Sequence, residues 1–409
     1  MDTNSKGKSD VLVKVALLTF AGIFFITISS GIRNNYGIML NAIIAHTGIP
    51  IASMSLILGV GQFVYGLVQP LFGILAAKKG NRYALVSGVF ITAAGLILTP
   101  FSNSMFTLML CLGIILPTGT GILSYGIIIG TIAPKIPAKM VISISGLVNA
   151  SVGLGNILMS PLVNALIESG GFMYGMHMLA IPVIVSLPIA FFLGKNDRDK
   201  TGDVKAPAPQ AAAGVAIKTL FADALKSRTY RYLMAGFFTC GFHMALVINH
   251  LPAEFVAQGF SPESAAFAFS IFGVTTIAGS VLSGIFCSKL KMKNVLGFLY
   301  GLRPLTILLF LLMPRTLASM TLFTALLGFS GASTVPPVSG TVGKIFGATS
   351  IAMLYGLVFV VHQIGAFFSA WLAGICFYLT GSYTPMWIAA LTLGLFASVI
   401  SFAIREQKG

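Results

Sequence analysis

Apolar residues run through this chain in long blocks, separated by short polar and basic segments. Twelve blocks reach the ~20 residues that an α-helix needs to cross a bilayer. They lie at about 11–43, 51–77, 83–101, 104–133, 140–168, 172–194, 230–254, 263–288, 295–313, 317–345, 349–379 and 384–404, and are numbered here as spans 1 to 12. The apolar character is continuous within each block, unlike the short alternating strands of a membrane β-barrel. Several blocks exceed the minimum length, which predicts tilting or projection beyond the bilayer. The first is too long for a signal peptide, shows no small-residue cleavage site and is followed by more spans, so it reads as span 1.

Composition strengthens this reading. Of 409 residues, 56% are hydrophobic and only 9% charged, against about 25% charged in soluble domains. The net charge of +15 belongs to membrane topology rather than to nucleic-acid binding, since no glycine-rich phosphate loop or basic recognition helix accompanies it. With both termini placed on the cytoplasmic side, nearly every loop lysine and arginine falls inside, and only Arg315 is left for an outer loop. Compact loops and short tails suit a bacterial inner membrane. The cysteines Cys111, Cys240, Cys287 and Cys376 all lie in spans without close spacing, which predicts free thiols and no metal site.

Residues 195–225 divide the chain. Charge, proline and alanine replace the apolar runs there, so the segment reads as a cytoplasmic linker, with a short amphipathic stretch over 215–225. It separates an N-terminal six-helix bundle (1–194) from a C-terminal one (226–409). The halves repeat one another. Gly146, Leu147 and Val148 recur as Gly356, Leu357 and Val358, Gly155 as Gly365, and Gly73 with Lys78 as Gly284 with Lys289. The common offset is about 210 residues. Parallel repeats of six spans predict two bundles that rock about a site near the bilayer midplane. The glycines of spans 2, 5 and 8 predict close helix approach. Pro70, Pro117, Pro161 and the pair Pro336 and Pro337 predict bends.

The stretch Gly73 to Arg82, with Lys78, Lys79 and Gly80 inside it, resembles the glycine–acid–basic motif between helices 2 and 3 of the major facilitator superfamily. Ala77 stands where that motif has an acid. Within the superfamily, Gly31 to Gly37 in span 1 and Tyr355 to Gly365 in span 11 resemble bacterial monocarboxylate-transporter-like and oxalate/formate-antiporter-like proteins. The resemblance implies the twelve-helix fold and alternating access. It also implies a cavity lined by spans 1, 4, 7 and 10, and a cytoplasmic gate near Gly73, Lys78, Gly80 and Arg82. Two further features depart from it: span 8 is neutral over Phe272 to Val281, and span 11 carries His362 where the antiporters have lysine.

Two arginines, Arg33 and Arg303, lie within spans, whereas every acidic residue falls at a span end or in a loop. A guanidinium at the centre of a membrane helix costs roughly 3 kcal/mol or more, so each marks a polar cavity or a set of compensating dipoles. Fixed positive charge without a carboxylate points to an anionic cargo. Arg33 can offer a carboxylate a forked pair of hydrogen bonds, or be satisfied by neighbouring carbonyls. It heads a polar cluster with Asn34, Asn35 and Tyr36. Arg303 precedes Pro304 in span 9 and either meets cargo or caps carbonyls of spans 8 or 10. Further candidate ligands are Tyr125 in span 4, Asn149 in span 5, His243 and Asn249 in span 7, and His362 with Gln363 in span 11.

Embedded carboxylates usually carry the coupled proton, and histidine is the remaining titrating type. His243, His250 and His362 are therefore the candidates for proton coupling, each with the alternative of a neutral histidine bonded to an adjacent helix. Together these features predict a secondary transporter of a small organic anion, a monocarboxylate first, with proton symport. The alternative is an exporter of amphiphilic metabolites, drugs or siderophores. No nucleophile–base arrangement, metal-ligand spacing or nucleotide fingerprint points to an enzyme or a cofactor. The partners expected are the cargo anion, protons and the lipid bilayer, around a monomer.

Overall fold

The structure is a computed structural model that describes residues 3–194, 222–347 and 351–406. The described residues are helical almost throughout and contain no strand. Most of the expected linker lies outside them; of it, residues 222–225 are helical.

Among the described residues, eleven helices are long and apolar enough to cross a membrane. One of these, Ser143–Leu193, has 51 residues, about 76 Å at 1.5 Å per residue and more than twice the thickness of a hydrocarbon core. It doubles back at Gly171, whose φ of 77° is open to glycine but not to a side chain. A Cβ on Gly175 would lie 3.1 Å from Ile167, a contact across a hairpin rather than along a helix. The stretch is thus spans 5 and 6, and the total is twelve.

Breaks in the helices follow the polar and proline residues. Span 1 comprises Thr3–Asn34 and Tyr36–Thr47, separated at Asn35. Span 4 passes through a π segment, Met109–Ile115, just before Pro117. Span 10 changes at a 3-10 turn, Ala332–Thr334, just before Pro336 and Pro337. Pro70, Pro161, Pro252 and Pro304 are carried inside continuous helices.

Two bundles of six spans result. A large apolar core gathers side chains from Val15 to Leu193, joined by Ala253 of span 7, and further cores gather those from Ala224 to Ile404. Small residues bring the bundles together at the end away from the termini. A Cβ on Gly374 of span 11 would strike Ser55 of span 2, and one on Gly59 would lie 2.9 Å from the Phe367 carbonyl oxygen. On the opposite side of the molecule, a Cβ on Gly153 of span 5 would lie 2.6 Å from the Gly273 carbonyl oxygen of span 8. Gly37 similarly faces Ile248 and Pro252 of span 7.

Towards the end that carries the termini, the situation reverses. A Cβ on Gly73, Gly126, Gly130, Gly146, Gly284 or Gly356 would meet no atom within 4 Å. The bundles therefore close against each other at one end and part at the end where the chain enters, leaves and crosses between halves.

Candidate functional site

The break in span 1 builds the site. Asn35 turns its side chain back onto its own helix, with Nδ2 donating to the Gly31 carbonyl at 2.5 Å. Such local side-chain bonding competes with regular helix, and the chain restarts at Tyr36. Arg33 stands immediately before the break and is partly accessible. Its Nη2 donates to Gln62 Oε1 at 2.9 Å and its Nη1 to Asn34 Oδ1 at 3.2 Å. The guanidinium carbon lies 4.0 Å from the centre of the Tyr65 ring. These partners are neutral, so they orient the guanidinium and leave its charge uncompensated. Arg33 Nε and the Tyr36 hydroxyl, both buried, have no hydrogen-bond partner among the described residues.

Gln62 passes the chain of contacts to the other bundle. Its main-chain oxygen accepts from Gln363 Nε2 of span 11 at 2.8 Å. Gln363 Oε1 in turn lies 2.8 Å from His362 Nδ1. The His362 ring packs on Phe359 and Phe237, with centroids 5.4 and 4.8 Å apart. A continuous polar path thus runs from Arg33 through Gln62 and Gln363 to His362, crossing from one bundle to the other. A Cβ on Gly66 would collide with Gln363, so glycine there admits the carboxamide.

Other sequence candidates fall elsewhere. Arg303 is fully buried inside the C-terminal bundle, and its Nη2 donates to the Ser330 and Gly331 carbonyls at 2.7 and 3.1 Å. Those oxygens close the first segment of span 10, Leu317–Gly331, where carbonyls lose their helical partners and the helix dipole is negative. This contact is a capping geometry for span 10, while Arg303 Nε and Nη1, also buried, have no hydrogen-bond partner among the described residues. His243 is also buried, with Nδ1 2.8 Å from the Thr239 carbonyl and Nε2 2.8 Å from the Ala390 carbonyl. His250 Nε2 meets the Ala370 carbonyl at 2.8 Å, and Asn249 donates to Ala245 at 2.8 Å. The structure gathers none of these four with Arg33. Tyr125 and Asn149 are half-buried in spans 4 and 5, beside the glycines Gly126 and Gly146 that have open space next to them.

The loop candidates lie at the open end. Gly80 joins spans 2 and 3 with a φ of 94°, and Lys78 and Arg82 are exposed. Neither forms an ion pair among the described residues.

Two residues of the polar path, Gln62 and Tyr65, were not among the sequence candidates. Their signal was an amide and a phenol three residues apart on one face of an otherwise apolar span. Glu254 adds a correction. It sits in the last turn of span 7, as its position suggested, yet it is only 3% exposed and accepts from Trp387 Nε1 at 2.5 Å. A carboxylate is therefore buried in the C-terminal bundle, because span 12 folds its indole over the end of span 7.

Two bundles of six spans, meeting at one end and joined by a polar path at mid-depth, define a membrane transporter scaffold. The chain belongs to the Major Facilitator Superfamily, whose family model matches residues 19–312. It is similar to monocarboxylate transporter 12 of Homo sapiens, at 24% identity over 82% of this chain and 69% of that protein. It is also similar to monocarboxylate transporter 13 of Bos taurus, at 24% identity over 88% and 82% of the two chains. MFS-type transporter 1 of Ophiocordyceps is 26% identical over 84% of this chain and 76% of its own. Among solved structures, a bacterial homologue of the human lysosomal transporter Spinster, in an inward-facing and unoccupied conformation, superposes with a TM-score of 0.76. It covers 95% of this chain and 96% of its own at 14% identity.

Proposed function

We propose that this transporter moves a small organic anion, a monocarboxylate first, by alternating access, with Arg33 as the anion's partner. The observation that carries the reading is the state of Arg33. It is held by two neutral amides and a ring face, keeps an unpartnered Nε and is partly accessible. A guanidinium at this depth is costly, and an anion offsets that cost. The names of the vertebrate relatives favour a monocarboxylate over other anions.

The polar path gives the anion a mechanical effect. Cargo that takes the Arg33 donors competes with Gln62 and Asn34, and Gln62 is the residue to which Gln363 of the opposite bundle is tied. Binding on one bundle thereby alters the contact that joins it to the other. Of the three candidate histidines, His362 alone lies on this path. It is the residue assigned to the coupled proton, which makes the transport symport. The partition of basic residues puts both termini and the 195–225 segment in the cytoplasm, so the open end faces inward. The compact loops favour a bacterial inner membrane as its location.

The test is uptake of radiolabelled lactate or pyruvate into proteoliposomes carrying an inside-alkaline gradient. Wild-type protein accumulates the anion, Arg33→Gln does not, and His362→Gln retains exchange without gradient-driven accumulation. Full accumulation by Arg33→Gln removes the arginine from the role.

A further inference from the structure

The loop between spans 2 and 3 sits at the open end and carries Lys79 and Arg82 on either side of Gly80. Both side chains are exposed, and no carboxylate pairs with either among the described residues. Each instead lies beside an aromatic ring: Lys79 Nζ is 5.0 Å from the centre of Tyr83, and the Arg82 guanidinium carbon is 5.8 Å from that of Phe191. Phe191 is in span 6, whose end presses onto the start of span 3, where a Cβ on Gly194 would collide with the Arg82 backbone. Beside that contact the two spans flank an open groove of about 470 Å³ on the outer surface of the N-terminal bundle.

The groove has a cationic rim and an aromatic wall. Lys79 and Arg82 form the rim; Tyr83, Val86, Phe90 and Phe191 line the rest. Tyr83, Phe90 and Phe191 are 47%, 59% and 46% exposed, on a surface that faces lipid in a twelve-span protein. Phe90 lies eight residues beyond Arg82 in the same helix, about 12 Å deeper. The groove therefore runs from the depth of lipid phosphates into the acyl region. Basic side chains at the membrane surface favour anionic lipid by about 1 kcal/mol each, and aromatic rings at this depth pack against an acyl chain.

We propose that this groove is a binding site for one anionic glycerophospholipid, with its phosphate between Lys79 and Arg82 and an acyl chain against Phe90 and Phe191. The site is separate from the polar path, so its existence does not rest on the cargo assignment. It gives the basic residues of the span 2–3 loop a partner that the missing acid at Ala77 does not supply.

Native mass spectrometry of the purified full-length protein tests the proposal with phosphatidylglycerol, phosphatidylcholine and soluble glycerophosphoglycerol. Wild type retains phosphatidylglycerol at least about tenfold better than phosphatidylcholine, and Lys79→Gln/Arg82→Gln abolishes that preference. Lys289→Gln/Lys291→Gln, an equal charge change at the matching loop of the other half, leaves it intact. Phe90→Ala/Phe191→Ala keeps the cations and weakens retention of both lipids. Equal retention by wild type and Lys79→Gln/Arg82→Gln overturns the proposal. Equally tight binding of the soluble headgroup also overturns it, because the site is then a simple anion site.

Discussion

Gln363 of span 11 donates its carboxamide to the main-chain oxygen of Gln62 at 2.8 Å, and the side chain of Gln62 accepts from Arg33 at 2.9 Å. One residue of span 2 thus holds the candidate cargo partner of its own bundle and a side chain of the other. A neutral hydrogen bond of this kind contributes about 1 kcal/mol. Gln363→Leu is expected to weaken the closed end by about that amount, shifting the balance between inward-open and outward-open states roughly fivefold. Spin labels on Ala45→Cys and Gln258→Cys, both exposed near the closed end, report the change as a larger population at long distance.

Closure depends on glycine where the bundles touch. Gly374→Leu places a side chain where Ser55 now lies, whereas Gly284→Leu enters open space. The first substitution is expected to hold the same pair of labels apart and to abolish uptake. The second leaves the distance distribution of the wild type unchanged.

Arg303 caps the broken end of span 10 inside the C-terminal bundle. Arg303→Gln removes a charged donor from two buried carbonyls, with an expected loss on the order of 2–4 kcal/mol. The midpoint of thermal unfolding in detergent falls, while anion affinity of the folded fraction stays at the wild-type value. A lost affinity with an unchanged midpoint is the opposite outcome and moves Arg303 into the cargo site.

Trp387 and Glu254 make a similar test at the far end of span 7. Trp387→Phe leaves the buried carboxylate without its indole donor and costs roughly 1–3 kcal/mol. Glu254→Gln keeps an acceptor for the indole and is expected to be tolerated. Thermal unfolding of the two variants separates these outcomes.

Span number, the two-bundle architecture and the bends at Pro117 and Pro336 were legible because bilayer thickness and missing N–H groups impose simple rules on sequence. Arg33 stood out for the same reason: charge in hydrocarbon is conspicuous. Apart from the adjacent Asn34, the residues joined to Arg33 were not legible. Gln62 lies 29 residues away and Gln363 belongs to the other half, and periodicity within one span says nothing about which span it faces. Arg303 and His243 show the converse. Their residue types suggested cargo or proton chemistry, and only the positions of Ser330, Gly331 and Ala390 reveal the main-chain oxygens that bond them. Glu254 seemed peripheral because the fold of Trp387 over it depends on span 12.

Anion-dependent stabilisation of the purified protein tests the role of Arg33 most directly. A ligand that binds only the folded state stabilises it by about 2.7 kcal/mol at one hundred times its dissociation constant. The unfolding temperature of wild type is expected to rise as lactate or pyruvate is added, and that of Arg33→Gln to stay constant at the same concentrations and ionic strength, as binding through Arg33 requires. An equal rise in the Arg33→Gln protein would contradict it.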